Sequence, residues 1–336
     1  MFMISKETKI YIVAPIAYFN GGAELLHQLC SMLNKKRIGS IAVMCYWDKK
    51  ESVFIDVVVP DHIKRYCTSY TKIIDDSENN LIIVPEQYTQ PLKRYKSIQK
   101  CVWWLGMNQY FWWSEMSAHP FLKLAYHWGR YLVGRDTPLR PSELKASNIS
   151  HLAQCWYGVS YLHTKGFHNV GYLSDYIYSK YDDCVAGERD NIVLYNPKRN
   201  IKFLKKIMKY DPNIEYVPII NMTKVQVKEY MKRAKVYVDF GSHPGKDRLP
   251  REAAMNGCCI LTSLKGSADF YNDLPIDNEF KFIRSSSSIP LIHEKILDFF
   301  NDFEGNFIKF NAYRSFIKEE NKRFEQDVAN LFHEYL

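Results

Sequence analysis

Short β-branched runs alternate along this chain with stretches in which apolar residues recur at helical spacing. That alternation limits the fold more than any other property of the sequence. Lys9–Ile16 reads as a buried strand and ends in Tyr18-Phe19-Asn20-Gly21-Gly22. Leu25, Leu26, Leu29, Met32 and Leu33 then follow the helical period. Glu24 in the first turn and Lys35, Lys36 and Arg37 in the last complement the helix dipole, and Gly39 suits a C-terminal cap. With the strand Ile41–Tyr46, this is a parallel βαβ unit, which demands a layered α/β domain.

The rhythm continues through strands at Val53–Val59, Leu81–Val84, Cys101–Leu105 and His151–Trp156, a helix at Val159–Lys165, and a strand at Val170–Leu173. Residues 1–173 are expected to form one α/β domain, and the polar, unpatterned stretch 174–190 a linker. A second α/β domain, 191–318, is expected from strands at Ile192–Tyr195, Tyr216–Ile219, Lys235–Phe240 and Cys258–Thr262. Its helices are expected at Ile201–Lys209, Val225–Arg233 and Arg251–Asn256, with Ser285–Ser288 a polar loop. Ile317, Phe324, Val328, Leu331 and Phe332 predict an amphipathic helix over 319–336.

A length of 336 residues fits about two domains, and 46% apolar with 24% charged residues excludes general disorder. Lys and Arg outnumber Asp and Glu by 45 to 37, a charge of +8 that favours anionic partners. No apolar run approaches the ~18–20 residues that cross a bilayer, and MFMISKETK lacks the layout of a signal peptide. A cytoplasmic protein is expected. The eight cysteines include no C-x-x-C, and Cys258-Cys259 are vicinal, so they read as buried thiols.

The richest stretch for chemistry runs from Val236 to Leu261. There a strand feeds a basic loop, Gly241-Ser242-His243-Pro244-Gly245-Lys246-Asp247-Arg248-Leu249-Pro250, and then a helix start. Ligands of open α/β sheets bind at the carboxyl ends of strands, and helix starts offer N–H donors to phosphate. Lys246, Arg248 and Arg251 are local cations for a diphosphate, while Glu252 suits a pair of sugar hydroxyls. A solvated loop with a helix-favouring Glu is the plainer alternative.

This stretch resembles the donor-site signature of GT-B glycosyltransferases, above all the retaining family 4 (group 1) enzymes. The loop Gly, Pro250, Glu252, Ala253, Met255, Gly257 and the strand Cys259–Leu261 carry the likeness. Asn20-Gly21-Gly22-Ala23-Glu24 is similar to the same group's N-terminal G-G-A-E loop. The first Glu of the paired-acid signature is missing: Pro244 stands there, and Asp247 is the candidate to replace it.

The resemblance implies two Rossmann-like domains facing each other, with the C-terminal helix packing back toward the N-terminal domain. The implied activity is a metal-independent, retaining hexosyl transfer from a nucleotide-sugar to a lipid-linked saccharide, in bacterial surface polysaccharide or lipopolysaccharide assembly. Such an enzyme needs no cofactor and works in the cytoplasm, with peripheral contact at the inner membrane. Glu252, Lys198, Arg199, Lys246, Arg251, Gly266, Ser267, Gly21 and Gly22 are the implied donor-binding residues, and Lys198, Arg248 and Asp247 the catalytic ones. Lys198, in Asn196-Pro197-Lys198-Arg199, would neutralise charge on the leaving diphosphate.

Cys101 to Arg135 holds Trp103, Trp104, Trp112, Trp113 and Trp128 among Lys123, Arg130 and Arg135. Aromatic faces with cations suit a sugar acceptor or a lipid surface, and core packing is the equal alternative. Trp104, Asn108, Tyr110 and His119 are the acceptor candidates; His119, His127 and Glu86 are candidates for acid–base work. No RRM, KH or OB pattern supports nucleic-acid binding. No D-x-D triplet is present to hold a divalent ion on a diphosphate, and the basic loop is no P-loop. Two other functions stay open: a sugar-nucleotide epimerase, and a non-catalytic nucleotide-sugar-binding subunit.

Overall fold

The computed structural model describes residues 2–16, 21–36, 42–66, 68–108, 110–111, 129, 138–145, 148–178 and 186–333. The chain divides into two compact units, Met1–Asp175 with Lys322–Leu336, and Tyr176–Asn321.

The first unit is built on β1 (Ile10–Pro15), β2 (Ala42–Asp48), β3 (Val53–Phe54), β4 (Leu81–Pro85), β5 (Gln99–Trp104), β6 (Ile149–Ala153) and β7 (Val170–Tyr172). Their order is β3-β2-β1-β4-β5-β6-β7, and all neighbours are parallel except β2 and β3. Helix α1 (Gly21–Lys36) links β1 to β2, and α2 (Trp156–Thr164) links β6 to β7. The central strands are buried on both faces, which is why Ile10–Ala14 and Leu81–Val84 are unbroken apolar runs.

The expected strand Val53–Val59 is shortened to Val53–Phe54. Ser69 and Thr71 take the hydrogen bonds of Met44 on the outer edge of β2, so the segment after Ile55 has no ladder to join. Val58 is left 90% exposed.

The second unit carries β8 (Asp190–Tyr195), β9 (Glu215–Pro218), β10 (Ala234–Asp239), β11 (Cys259–Ser263) and β12 (Lys281–Phe282), all parallel, in the order β12-β11-β10-β8-β9. Its helices are α3 (Ile201–Tyr210), α4 (Lys224–Arg233), α5 (Arg248–Met255), α6 (Ile289–Asn301), α7 (Phe303–Lys309) and α8 (Asn311–Lys318), and α9 (Glu320–Leu331) starts at its end and runs on through residues of the first unit. Phe203, Leu204 and Ile207 give α3 its buried stripe, and Thr223 with Gln226 closes a capping box at the start of α4. The helix expected over 319–336 is α9, which carries Phe324 and Val328, while Ile317 lies on the preceding helix α8.

In each sheet the strand order reverses once, between β1 and β4 and between β8 and β10. The carboxyl ends flanking such a reversal are where α/β sheets take ligands. The six described cysteines away from position 67 are free and buried; Cys67 and Cys184 lie outside the described residues.

Candidate functional site

At the reversal of the second sheet, β10 ends in Asp239 and the turn after β8 supplies Arg199. Arg199 forms an ion pair with Asp247, and its Nε lies 3.9 Å from Asp239 Oδ2. His243 sits between the acids, with Nδ1 2.8 Å from Asp247 Oδ2 and Nε2 3.1 Å from the Asp239 carbonyl. Tyr237 donates its hydroxyl to Asp239 Oδ2 at 3.3 Å, and Gly241 donates its N–H to Oδ1 at 2.9 Å. A Cβ added at Gly241 would lie 2.9 Å from both Arg199 Cδ and Asp239 Oδ1, so a larger residue there would have to push these side chains aside.

Both ring nitrogens of His243 face oxygen acceptors, so the cation satisfies the site best. Burial works against that charge, but the bond to Asp247 and the field of both carboxylates outweigh it and hold the imidazole above its ordinary value. Burial raises Asp239, whereas His243 and Arg199 overcome burial at Asp247 and hold it low. Asp239, His243 and Asp247 place one ligand atom each within 4.8 Å of one another, a spacing a metal ion could use. The Arg199 guanidinium and the protonated His243 already balance the two acids, so a divalent ion would have to displace them.

The loop from Gly241 to Asp247 is held from beneath. Ser263 Oγ donates to the Gly241 carbonyl at 2.5 Å, Ser267 N–H to the His243 carbonyl at 2.9 Å, and Ser267 Oγ to the Gly245 carbonyl at 2.7 Å. Gly266 (φ +63°) lies so close that a Cβ would stand 2.1 Å from the His243 carbonyl oxygen. Ser267, expected to touch donor, thus spends its N–H and its hydroxyl on the loop. His243 itself has φ 41°, a left-handed conformation fixed by its carbonyl and ring bonds.

Lys246 and Arg251 were expected to face the donor, and the structure corrects both. Lys246 Nζ is 2.8 Å from Glu320 Oε1 and Arg251 Nη1 is 2.9 Å from Glu320 Oε2, with all three groups buried. Arg251 also donates to the carbonyls of Asp247 and Lys246 at 3.1 Å. Arg199 and His243 thus meet Asp239 and Asp247, while Lys246 and Arg251 meet Glu320.

Toward solvent the site presents other residues. Arg248 and Glu252 lie one turn apart on α5, 24% and 30% exposed, with Arg248 Nε 3.7 Å from Glu252 Oε1. Lys198 is exposed just before Arg199. The helix begins at Arg248, a turn earlier than expected, because Pro250 falls in the first turn, where no intrahelical N–H bond is required. Asp247 is the N-cap residue, yet its carboxylate turns to His243 and Arg199 and does not cap the helix. Arg284, 3.4 Å from the Phe240 carbonyl, adds a cation that the sequence analysis did not single out. Asp239 and His243 were missed as well, although their spacing with Asp247 past a strand end was a usable signal.

In the first unit, Gly21 and Gly22 open α1 after β1. Glu24 is buried and bound by Arg65 and by the Tyr66 hydroxyl at 2.8 Å. Glu86, buried at the carboxyl end of β4, accepts the Leu105 N–H at 3.0 Å, and burial raises its carboxyl to about 7. Trp104 and Tyr110 are corrected as acceptor contacts. Trp104 is fully buried against Tyr110, Phe111 and Phe167 and donates Nε1–H to His151 at 3.2 Å, while Tyr110 donates to the Leu139 carbonyl at 2.7 Å. Trp103 is buried too. Asn108 is partly exposed. His119, His127, Trp112, Trp113, Trp128, Lys123, Arg130 and Arg135 lie outside the described residues.

No protein-family model matches the sequence, and no curated protein matches it. Its structure is similar to sucrose-phosphate synthase from Thermosynechococcus elongatus over 97% of this chain and 98% of that one, with a TM-score of 0.65 at 12% identity. WaaG, a glycosyltransferase involved in lipopolysaccharide biosynthesis, matches over 95% and 99%, with a TM-score of 0.55 at 10% identity. Anabaena HepE in complex with UDP and glucose matches over 96% and 99%, with a TM-score of 0.53 at 10% identity.

The fold is that of the GT-B glycosyltransferases. At these identities the likeness is one of fold.

Proposed function

We propose that this protein is a glycosyltransferase that takes a nucleotide-sugar at the carboxyl ends of β8 and β10 and passes its sugar to a saccharide acceptor. One observation carries the reading. A GT-B sheet reversal holds the Asp239–His243–Asp247–Arg199 ion network, with Arg199 partly exposed beside partly exposed Arg248 and Glu252. Arg199, Arg248 and Lys198 supply charge for a diphosphate, and Glu252 accepts hydrogen bonds from the hydroxyls of a ribose or hexose. In this reading the diphosphate needs no metal, Lys198 stabilises the leaving group, and the donor phosphate takes the acceptor proton in a retaining transfer.

HepE has been crystallised with UDP-glucose, and the name of WaaG places it in lipopolysaccharide biosynthesis. The first supports a uridine-linked hexose as donor and the second a surface saccharide as acceptor; a lipid link on that acceptor, reached at the cytoplasmic face of the membrane, belongs to the same proposal. Among the described residues, no helix is long and apolar enough to cross a membrane.

Donor binding without turnover is a second reading, favoured by Asp247 being tied to Arg199 and His243. Incubation with UDP-sugars and GDP-sugars, each alone, separates the two. Slow release of nucleoside diphosphate supports the transferase. Tight binding with no release on any acceptor supports the binding subunit, and absence of binding to the whole panel overturns both.

A further inference from the structure

The carboxylate of Glu320 is the meeting point of three chain segments. Its Oε1 holds Lys246, and its Oε2 holds Arg251 and accepts the Ile177 N–H at 3.4 Å. Lys246 belongs to the loop that carries His243 and Asp247, and Arg251 grips that loop's carbonyls at Lys246 and Asp247. The chain enters the second unit at Tyr176 and leaves it after Asn321. Ile177 and Glu320 are therefore each next to one of the two crossings, and a single carboxylate ties both crossings to the site loop.

A buried ion triad of this kind is a costly way to fill space, since apolar residues of like volume do as well or better for stability. Its placement matters more than its energy. We propose that Glu320 is a positioning residue that couples the loop Gly241–Asp247 to the two chain crossings, so that a nucleoside diphosphate bound at the loop also orders residues 176–178 and the start of α9. The coupling rests on the donor-site reading above for its ligand, but not for its geometry. By reciprocity, whatever loosens the crossings weakens the nucleotide by the same factor, which for such couplings is typically about 5- to 150-fold.

Hydrogen exchange read by mass spectrometry tests this in two arms, on the full chain. The variants are Glu320→Gln and the double variant Glu320→Gln with Lys246→Met, which keeps the charge of the buried group at its native value and guards against failure to fold. In the ligand-free arm, exchange is expected to rise together at 245–251 and 176–178 in both variants. A rise confined to one segment overturns the coupling.

In the second arm UDP is added. The native chain is expected to gain protection at both segments, and the variants at the loop alone. Protection at 176–178 that survives in the variants overturns the proposal, because a merely structural triad would leave that transmission intact. If UDP protects neither segment of the native chain, the donor reading fails, and the ligand-free arm still decides the coupling.

Discussion

Arg199, just past the end of β8, and Asp247, the N-cap residue of α5, form an ion pair across the reversal of the second sheet. Two segments far apart in sequence are fixed to one another where an α/β sheet takes its ligand. The partners are 26% and 15% exposed, so solvent screens the pair only in part.

A double-mutant cycle on Arg199→Met and Asp247→Asn should show a coupling of roughly 0.5–3 kcal/mol in urea unfolding, with each single variant costing more than the pair is worth. Additive effects would mean that the two side chains do not interact.

The charge on His243 makes the loop sensitive to alkali. Its pKa is raised in the fold, so its contribution is fully present below the ordinary histidine value and is lost as pH rises through the raised one. Melting temperature and nucleotide affinity should both fall on the alkaline side, and His243→Gln should flatten that fall. An unchanged alkaline profile in the variant would remove His243 as its source.

Glu86 behaves in the same direction for a different reason. Burial lifts its carboxyl to about 7, so the fold favours the protonated form and loses stability as pH rises from the ordinary glutamate value through about 7. Glu86→Gln keeps an acceptor for Leu105 N–H and should stabilise the protein at pH 8 by up to the order of 3 kcal/mol, with no gain near pH 4. Thermal unfolding at the two pH values measures it; equal effects at both would contradict the buried, proton-holding carboxyl.

Glu252 and Lys198 are separable. Glu252→Ala should weaken nucleotide binding by about 1.5–3 kcal/mol with the melting temperature nearly kept, since the side chain is partly exposed on α5. Lys198→Ala should lower kcat more than it raises KM if the lysine acts on the leaving group. Calorimetry reads the first and donor turnover the second.

The α/β rhythm was legible because strands buried on both faces leave unbroken runs such as Leu81–Val84, and the crossover helices leave stripes such as Phe203, Leu204 and Ile207. Most boundaries moved by one to three residues where an element end blends into its turn, as in β6, which covers Ile149–Ala153 where His151–Trp156 was expected. Less of the site was legible. The fate of Lys246 and Arg251 depends on Glu320, 69 residues beyond Arg251, and no local pattern announces that partner. Trp104 had two readings from sequence, and the packing of β5 between two buried faces decided for the core. The short reach of the Val53 strand was hidden in the same way, since the competing segment at Tyr70 pairs with β2 from further along the chain.

The most direct test of the account is a crystal structure of the full chain with UDP. The diphosphate is expected at the start of α5 among Arg199, Arg248 and Lys198, with the ribose hydroxyls on Glu252 and the Lys246–Glu320–Arg251 contacts intact. UDP bound elsewhere, or no UDP at saturating concentration while the loop keeps its ion pairs, would contradict it.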